Sequence, residues 1–288
     1  MKKIFGGIDL KWPWLILMAV LAGAFTAAMC LLPAAHDTSF SDIAVTFEVW
    51  ILFGIFIIMN SKTPLESACK CFVFFLISQP LVYLIQDFVN HSQLFMTYYR
   101  NWTLWTLLTF PMGFIGHYMK KNKWWGLVIL APILVLLAEH YRGYLSRTMF
   151  SFPRHLLTTL FCLGTMFLYP LVIFASKRIR LVGTLISAVL ALAMTILVLT
   201  NPPVYRTILL ANGTEHPFDN SYRAYFTDKS FGDLRIEYND SLEDWVLHVD
   251  FKKAGKAELV LESPNGKKNV YDVTIQWNTC EAVPREGA

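Results

Sequence analysis

Eight ionisable side chains stand within long apolar runs or at their ends: Glu48, Asp87, His91, Glu139, His140, Arg142, Arg154 and His155. A charged group at such a position is costly unless it meets a partner or water, so each is a candidate ligand-binding residue. Carboxylates and histidines on neighbouring helix ends have the donor types that bind zinc or another divalent ion. The same pairing suits general acid–base work where burial separates the two proton affinities. The arginines suit the phosphate or carboxylate of a lipid headgroup. The plainer reading is an ion-paired belt at the membrane interface, with Glu139 bonded to Arg142 one turn on and Asp87 to a basic neighbour. Glu48 stands apart, because it lies deepest in its run and has no partner nearby in the sequence. A hydrogen bond to a neighbouring helix is its expected role. His117, close to Lys120, is expected at the interface.

These residues need helices to position them, and the composition supplies those. Hydrophobic residues make up 55% and charged residues 16% of the 288 residues, far from the quarter charged that is usual in soluble domains. Residues 1–200 carry 15 Lys and Arg against 7 Asp and Glu, whereas residues 201–288 carry 10 against 14. The two parts therefore face different environments, and the basic residues act as topological signals rather than a nucleic-acid stripe.

A hairpin orders the first part: Trp102–Met119, the turn Lys120-Lys121-Asn122-Lys123, and Trp124–His140. Lysines at helix ends are retained on the cytoplasmic side, which places this turn inside. The remaining spans follow as Leu15–Leu32, Ile43–Met59, Ala68–Gln86, Arg154–Ala175 and Leu181–Leu199. Inside turns fall at Ser61-Lys62-Thr63-Pro64 and Lys177-Arg178-Ile179-Arg180. Outer loops fall at His36–Asp42, Asp87–Asn101 and Tyr141–Pro153. Seven spans with an inner N-terminus leave the C-terminus outside, with eleven basic residues on the inner side and four on the outer. The first span reads as a retained anchor rather than a signal peptide, since its apolar stretch is long and cleavage signals are weak. Pro80, Pro111, Pro132 and Pro170 interrupt consecutive spans; such prolines mark kinks, and in transporters they line substrate cavities. Cys30, Cys69, Cys71 and Cys162 lie in or beside apolar runs as packing residues, and Cys280 stands alone in the tail, so no disulfide framework is expected.

Beyond Asn201-Pro202-Pro203 the pattern changes from continuous apolar runs to alternation. Leu234–Tyr238, Val246–Phe251, Ala257–Leu261 and Val270–Trp277 read as half-buried antiparallel strands. Asn239-Asp240-Ser241 and Pro264-Asn265-Gly266 separate them as turns. The stretch Lys253–Leu261, followed by Asn265-Gly266-Lys267 and Tyr271–Ile275, resembles the closing strands of bacterial immunoglobulin-like modules. The resemblance covers about the last 60 residues and implies a β-sandwich on a cell surface, used as a spacer or partner-binding unit. It implies a fold and not a ligand. Few strands are legible for a full sandwich, so a truncated one is also expected.

The fold class that follows is a polytopic α-helical membrane domain, residues 1–200, and an extracytoplasmic β-sandwich-like domain, residues 201–288. HExxH, GxSxG and Walker motifs are absent from the sequence. The expected function is a bacterial plasma-membrane protein that presents its outer domain to another envelope or membrane protein, in contact with membrane lipid, without cofactor or nucleic acid. The alternative is a transporter or lipid-handling protein that uses the outer polar cluster, and a metal-dependent membrane hydrolase ranks below both.

Overall fold

The computed structural model describes residues 4–35, 38–91, 94–121, 123–212, 218–240 and 242–285, with backbone alone at 94, 95 and 101. His36 and Asp37 of the first outer loop, Asn122 of the basic turn and Ser241 of a strand turn lie outside the described residues. The chain divides into two compact units. One comprises Met1–Arg142 and Leu156–Thr195; the other comprises Gly143–His155 and Ile196–Ala288.

Among the described residues eight α-helices follow one another: α1 Trp12–Leu31, α2 Ser39–Val45, α3 Phe47–Met59, α4 Pro64–Asn90, α5 Leu94–His117, α6 Trp125–Phe150, α7 Leu156–Ile173 and α8 Lys177–Thr200. In hydrocarbon every backbone polar group must be satisfied within the protein, and a helix does this with its own carbonyls. Five of these helices (α1, α4, α6, α7 and α8) are long and apolar enough to cross a membrane, and α2 with α3 makes a sixth if the bent pair is one span. The chain is thus a multi-pass helical protein followed by a β-domain. Each of the expected spans coincides with a helix or with the α2–α3 pair, but α5 is less apolar than the others because Thr, Tyr, Trp, Arg100 and Asn101 crowd its first half.

Two expected loops are shorter than the hydropathy suggested. The helix α4 runs on to Asn90 and α5 starts at Leu94, while α6 continues to Phe150. Hydropathy marks where apolar character ends, and a helix whose polar residues reach water continues past that point. Pro80, Pro111, Pro132 and Pro170 all lie inside continuous helices. Thr63 caps α4 by accepting from the Glu66 N–H at 3.1 Å, with Pro64 in the first helical position.

Small residues let these helices approach closely. A Cβ on Gly23 would lie 2.7 Å from the Ser78 carbonyl oxygen of α4, and one on Gly113 of α5 would lie 3.0 Å from that of Ser67. The Ser67 hydroxyl donates to the Gly113 carbonyl at 2.9 Å. The leader is fastened too. Asn60 accepts from the Gly6 and Ile8 N–H groups, each at 3.0 Å, and donates to the Ile4 carbonyl at 2.8 Å. The buried Lys70 ammonium donates to the Leu10 carbonyl and to Glu66, both at 2.5 Å.

In the second unit seven strands among the described residues form two antiparallel sheets. These are β1 Tyr205–Ala211, β2 Arg223–Phe226, β3 Gly232–Asn239, β4 Asp244–Phe251, β5 Gly255–Glu262, β6 Lys268–Gln276 and β7 Thr279–Pro284. One sheet has the order β1-β4-β3 and the other β2-β5-β6-β7. The architecture is compatible with a β-sandwich. Its order differs from that of an immunoglobulin constant domain, in which the first strand pairs with the second and the third with the sixth. The strands expected from alternation are β3, β4, β5 and β6, and the β5–β6 turn spans Ser263–Lys267 with Gly266 at φ +81°. Their inward residues Leu247, Val249, Phe251, Leu259, Leu261, Tyr271, Val273 and Ile275 belong to the core, together with Phe150, the last residue of α6. The Phe150 ring meets Trp277 edge-on at 5.4 Å, and its carbonyl accepts from the Ala254 N–H at 2.7 Å.

Two outcomes follow. Phe150→Ala empties a fully buried position and should cost about 3–5 kcal/mol; limited proteolysis of the full chain should then cut within residues 201–288 well before the wild type is cut. On the surface, Ser230 hydroxyl and N–H groups donate to Asp228, and the Lys253 ammonium lies 3.2 Å away, which holds its carboxyl down to about 2 from an ordinary 3.8. A lowered value in the folded state stabilises above 3.8, and the gain is lost as pH falls through about 2. Asp228→Asn should therefore flatten the acid limb of β-domain stability in that window, measured by acid titration of tertiary circular dichroism.

Candidate functional site

The bundle's most unusual position is the joint between α2 and α3. The two helices are bent by 47° at Thr46, which adopts an extended conformation (φ −65°, ψ 149°). No proline or glycine causes this. Hydroxyls occupy the carbonyls at the end of α2: Thr46 donates to Ile43 and Thr26 of α1 to Ala44, each at 3.2 Å. From α7, the Thr158 hydroxyl reaches the Ser39 carbonyl at 3.4 Å and the Asp42 carboxylate at 3.3 Å. Such side-chain bonds compete with the helical ladder and hold the break open.

Glu48 sits in the first turn of α3, immediately beyond the break, and is wholly buried. The positive end of the helix dipole favours its carboxylate. His140 of α6 places Nδ1 3.3 Å from both carboxylate oxygens, with hydrogen-bond geometry to Oε2. Oε1 has no hydrogen-bond partner among the described residues, although the weakly donating Cys162 thiol of α7 lies alongside. The Tyr169 hydroxyl, also from α7, donates to the Glu48 backbone carbonyl at 3.0 Å. Phe47 covers the pair, its ring 5.1 Å from the His140 ring, 5.3 Å from that of Trp102 and 6.2 Å from that of Trp105.

The other candidates are placed as follows. Glu139 and Arg142 form a bidentate pair one turn apart on the exposed face of α6, with Nε 3.0 and 2.9 Å from the two oxygens. Asp87 accepts from the Met96 N–H at 2.9 Å, which ties the end of α4 to the start of α5. His91 terminates α4 in the left-handed region at φ 50°, with its side chain exposed. Arg154 and His155 belong to the second compact unit, where His155 is buried. The structure thus joins Glu48 to His140 and Glu139 to Arg142. Among the described residues no three of His, Cys, Asp and Glu gather as a metal-ligand set.

Asp42, Thr46, Thr158, Cys162 and Tyr169 escaped the sequence reading. Asp42 counted as a loop residue, and the others look ordinary in apolar helices. The one signal was three polar residues, Asp42, Thr46 and Glu48, spaced four and two apart in a run otherwise apolar. Comparison with family models, curated proteins and solved structures finds no match, so the site is read from its own residues.

Glu48 and His140 should be energetically coupled. His140→Ala should lower thermal stability, Glu48→Gln should change it little, and in the double variant most of the His140→Ala penalty should vanish. The expected coupling is about 1–3 kcal/mol, measured by thermal unfolding in detergent. Additive effects would mean that the two groups do not interact.

Proposed function

We propose that the chain is a seven-span bacterial plasma-membrane protein, with its N-terminus inside, that presents the β-domain outside the cell to an envelope or membrane protein. Two features support this orientation and role. The helix α8 has 24 residues, about 36 Å at 1.5 Å per residue, enough to cross a hydrocarbon core of about 30 Å. Lys177, Arg178 and Arg180 mark one end of it as inner, and Asn201–Val204 joins the other end to β1. The domain is immunoglobulin-like in this reading as a sandwich-shaped binding unit, whatever its strand order.

One observation carries the binding role: an apolar face at the end of the β3–β4 hairpin. Tyr238 and Leu242 are 52% and 55% exposed, and the Tyr238 ring meets Trp245 edge-on at 5.6 Å. An exposed aromatic such as Tyr238 is of the residue type enriched in protein interfaces. Tyr205, Tyr222 and Trp245, by contrast, pack against the domain's core.

A second reading, a transporter or lipid-handling protein, is favoured by the α2–α3 break with its buried Glu48. Discontinuous helices in transporters place their ends at the ligand.

A photo-reactive residue in place of Tyr238 or Leu242 should crosslink one envelope protein in native membranes, while the same probe at exposed Lys267 should not. An impermeant amine reagent should modify Lys267, and not Lys121, on intact cells. Failure to crosslink at both hairpin positions would overturn the binding role, and the reverse labelling would overturn the orientation.

A further inference from the structure

We infer that one end of the β-domain is a membrane-docking surface, seated on phospholipid headgroups through Phe152, Lys229 and the β4–β5 loop. The inference rests on where two helices of membrane-spanning length and composition, α6 and α8, meet the domain. The last residue of α6, Phe150, lies in the domain's core, and its carbonyl accepts from the Ala254 N–H of the β4–β5 loop at 2.7 Å. The second tether is Asn201–Val204, which joins the end of α8 to Tyr205, the first residue of β1. Five steps of extended chain reach at most about 18 Å, so β1 starts near that helix end. Tyr205 pairs with Phe251, the last residue of β4, and so does Gly232, the first of β3. Both tethers therefore arrive at the same end of the sheets.

Helix length sets the depth of that end. The 26 residues of α6 make about 39 Å at 1.5 Å per residue, against about 40–45 Å for a bilayer with its headgroups. The helix opens on exposed Trp124 and Trp125, the residue type that marks a membrane–water interface. It therefore delivers Phe150 to the opposite headgroup layer.

The surface there has the chemistry of such a layer. Phe152, two residues beyond Phe150, is 71% exposed, and an aromatic ring gains by entering the boundary of the acyl chains. The Lys252 N–H donates to the Phe231 carbonyl at 2.8 Å, and the Lys253 ammonium lies 4.0 Å from the Phe231 ring centroid. Lys252 pairs with Asp233 at 2.8 Å and Lys253 with Asp228 at 3.2 Å. Between them in the chain, exposed Lys229 has no ion-pair partner among the described residues. A lipid phosphate supplies its counter-charge while the methylene stem lies along apolar surface. A protein in this place would have to enter between the domain and the bilayer to which two tethers hold it, so lipid is the occupant.

The opposite end of the same strands carries the Tyr238–Leu242 patch. Trp245, which pairs with Tyr238, is six residues from Phe251 along β4, about 20 Å at 3.4 Å per residue. Docking by one end thus keeps that patch clear of lipid. The inference holds whichever side of the membrane the domain occupies, and it does not depend on the hairpin binding a protein.

The test places a single photo-reactive residue at Phe152, Lys229 or Tyr238 of the full chain in phosphatidylcholine nanodiscs. All three side chains are exposed, so the substitutions leave the core intact. After illumination, mass spectrometry should find phospholipid adducts at the Phe152 and Lys229 positions and none at Tyr238. Adducts at Phe152 alone would mean that the domain stands off the bilayer. Adducts at Tyr238 as abundant as those at Lys229 would mean that it lies along the surface. Either result, or the absence of adducts at all three positions, would overturn the docking end.

Discussion

The organising constraint of the bundle is that its backbone carbonyls and amides must find partners without water. Most of its described helices meet that demand in long, regular runs. The short α2 departs from it, and the cost of the departure is visible in its surroundings. Thr26, Thr46 and Thr158 spend their hydroxyls on carbonyls and a carboxylate beside the break. That investment, from α1, α7 and the joint itself, marks the joint as a specified feature, and it places Glu48 at a helix start instead of mid-span.

The same accounting explains what holds elsewhere. Where helices carry prolines they stay continuous, because a single lost donor is readily absorbed by a neighbouring turn. Where they meet most closely, glycine permits backbone contact. The β-domain obeys a different rule, burying alternate side chains between sheets, and its exposed ion pairs add specificity of surface more than stability.

Much of this was legible in the residues. Apolar runs announced every membrane-length helix, and alternation announced β3 to β6. The strands that escaped did so for physical reasons. In β1 the segment Thr207–Ala211 has no polar alternation and carries a register shift between Ile208 and Leu210. The strand β2 has four residues, and β7 ends in Pro284 at a sheet edge. The break at Thr46 was invisible because its cause lies in side chains from α1 and α7, distant in sequence. Glu48 stood out as a buried acid without a local partner, but its partner, 92 residues away, could be found only in three dimensions.

Phe150 has a meaning for biogenesis. It belongs to the β-domain's core, yet it precedes β1 in the chain by the whole of α7 and α8. Synthesis runs from the N-terminus, and domains fold as they emerge. One core residue of the β-domain is therefore laid down, and tied to the membrane helices, before any strand exists. The β-domain's core thus takes one of its residues from a stretch of chain made well before its first strand.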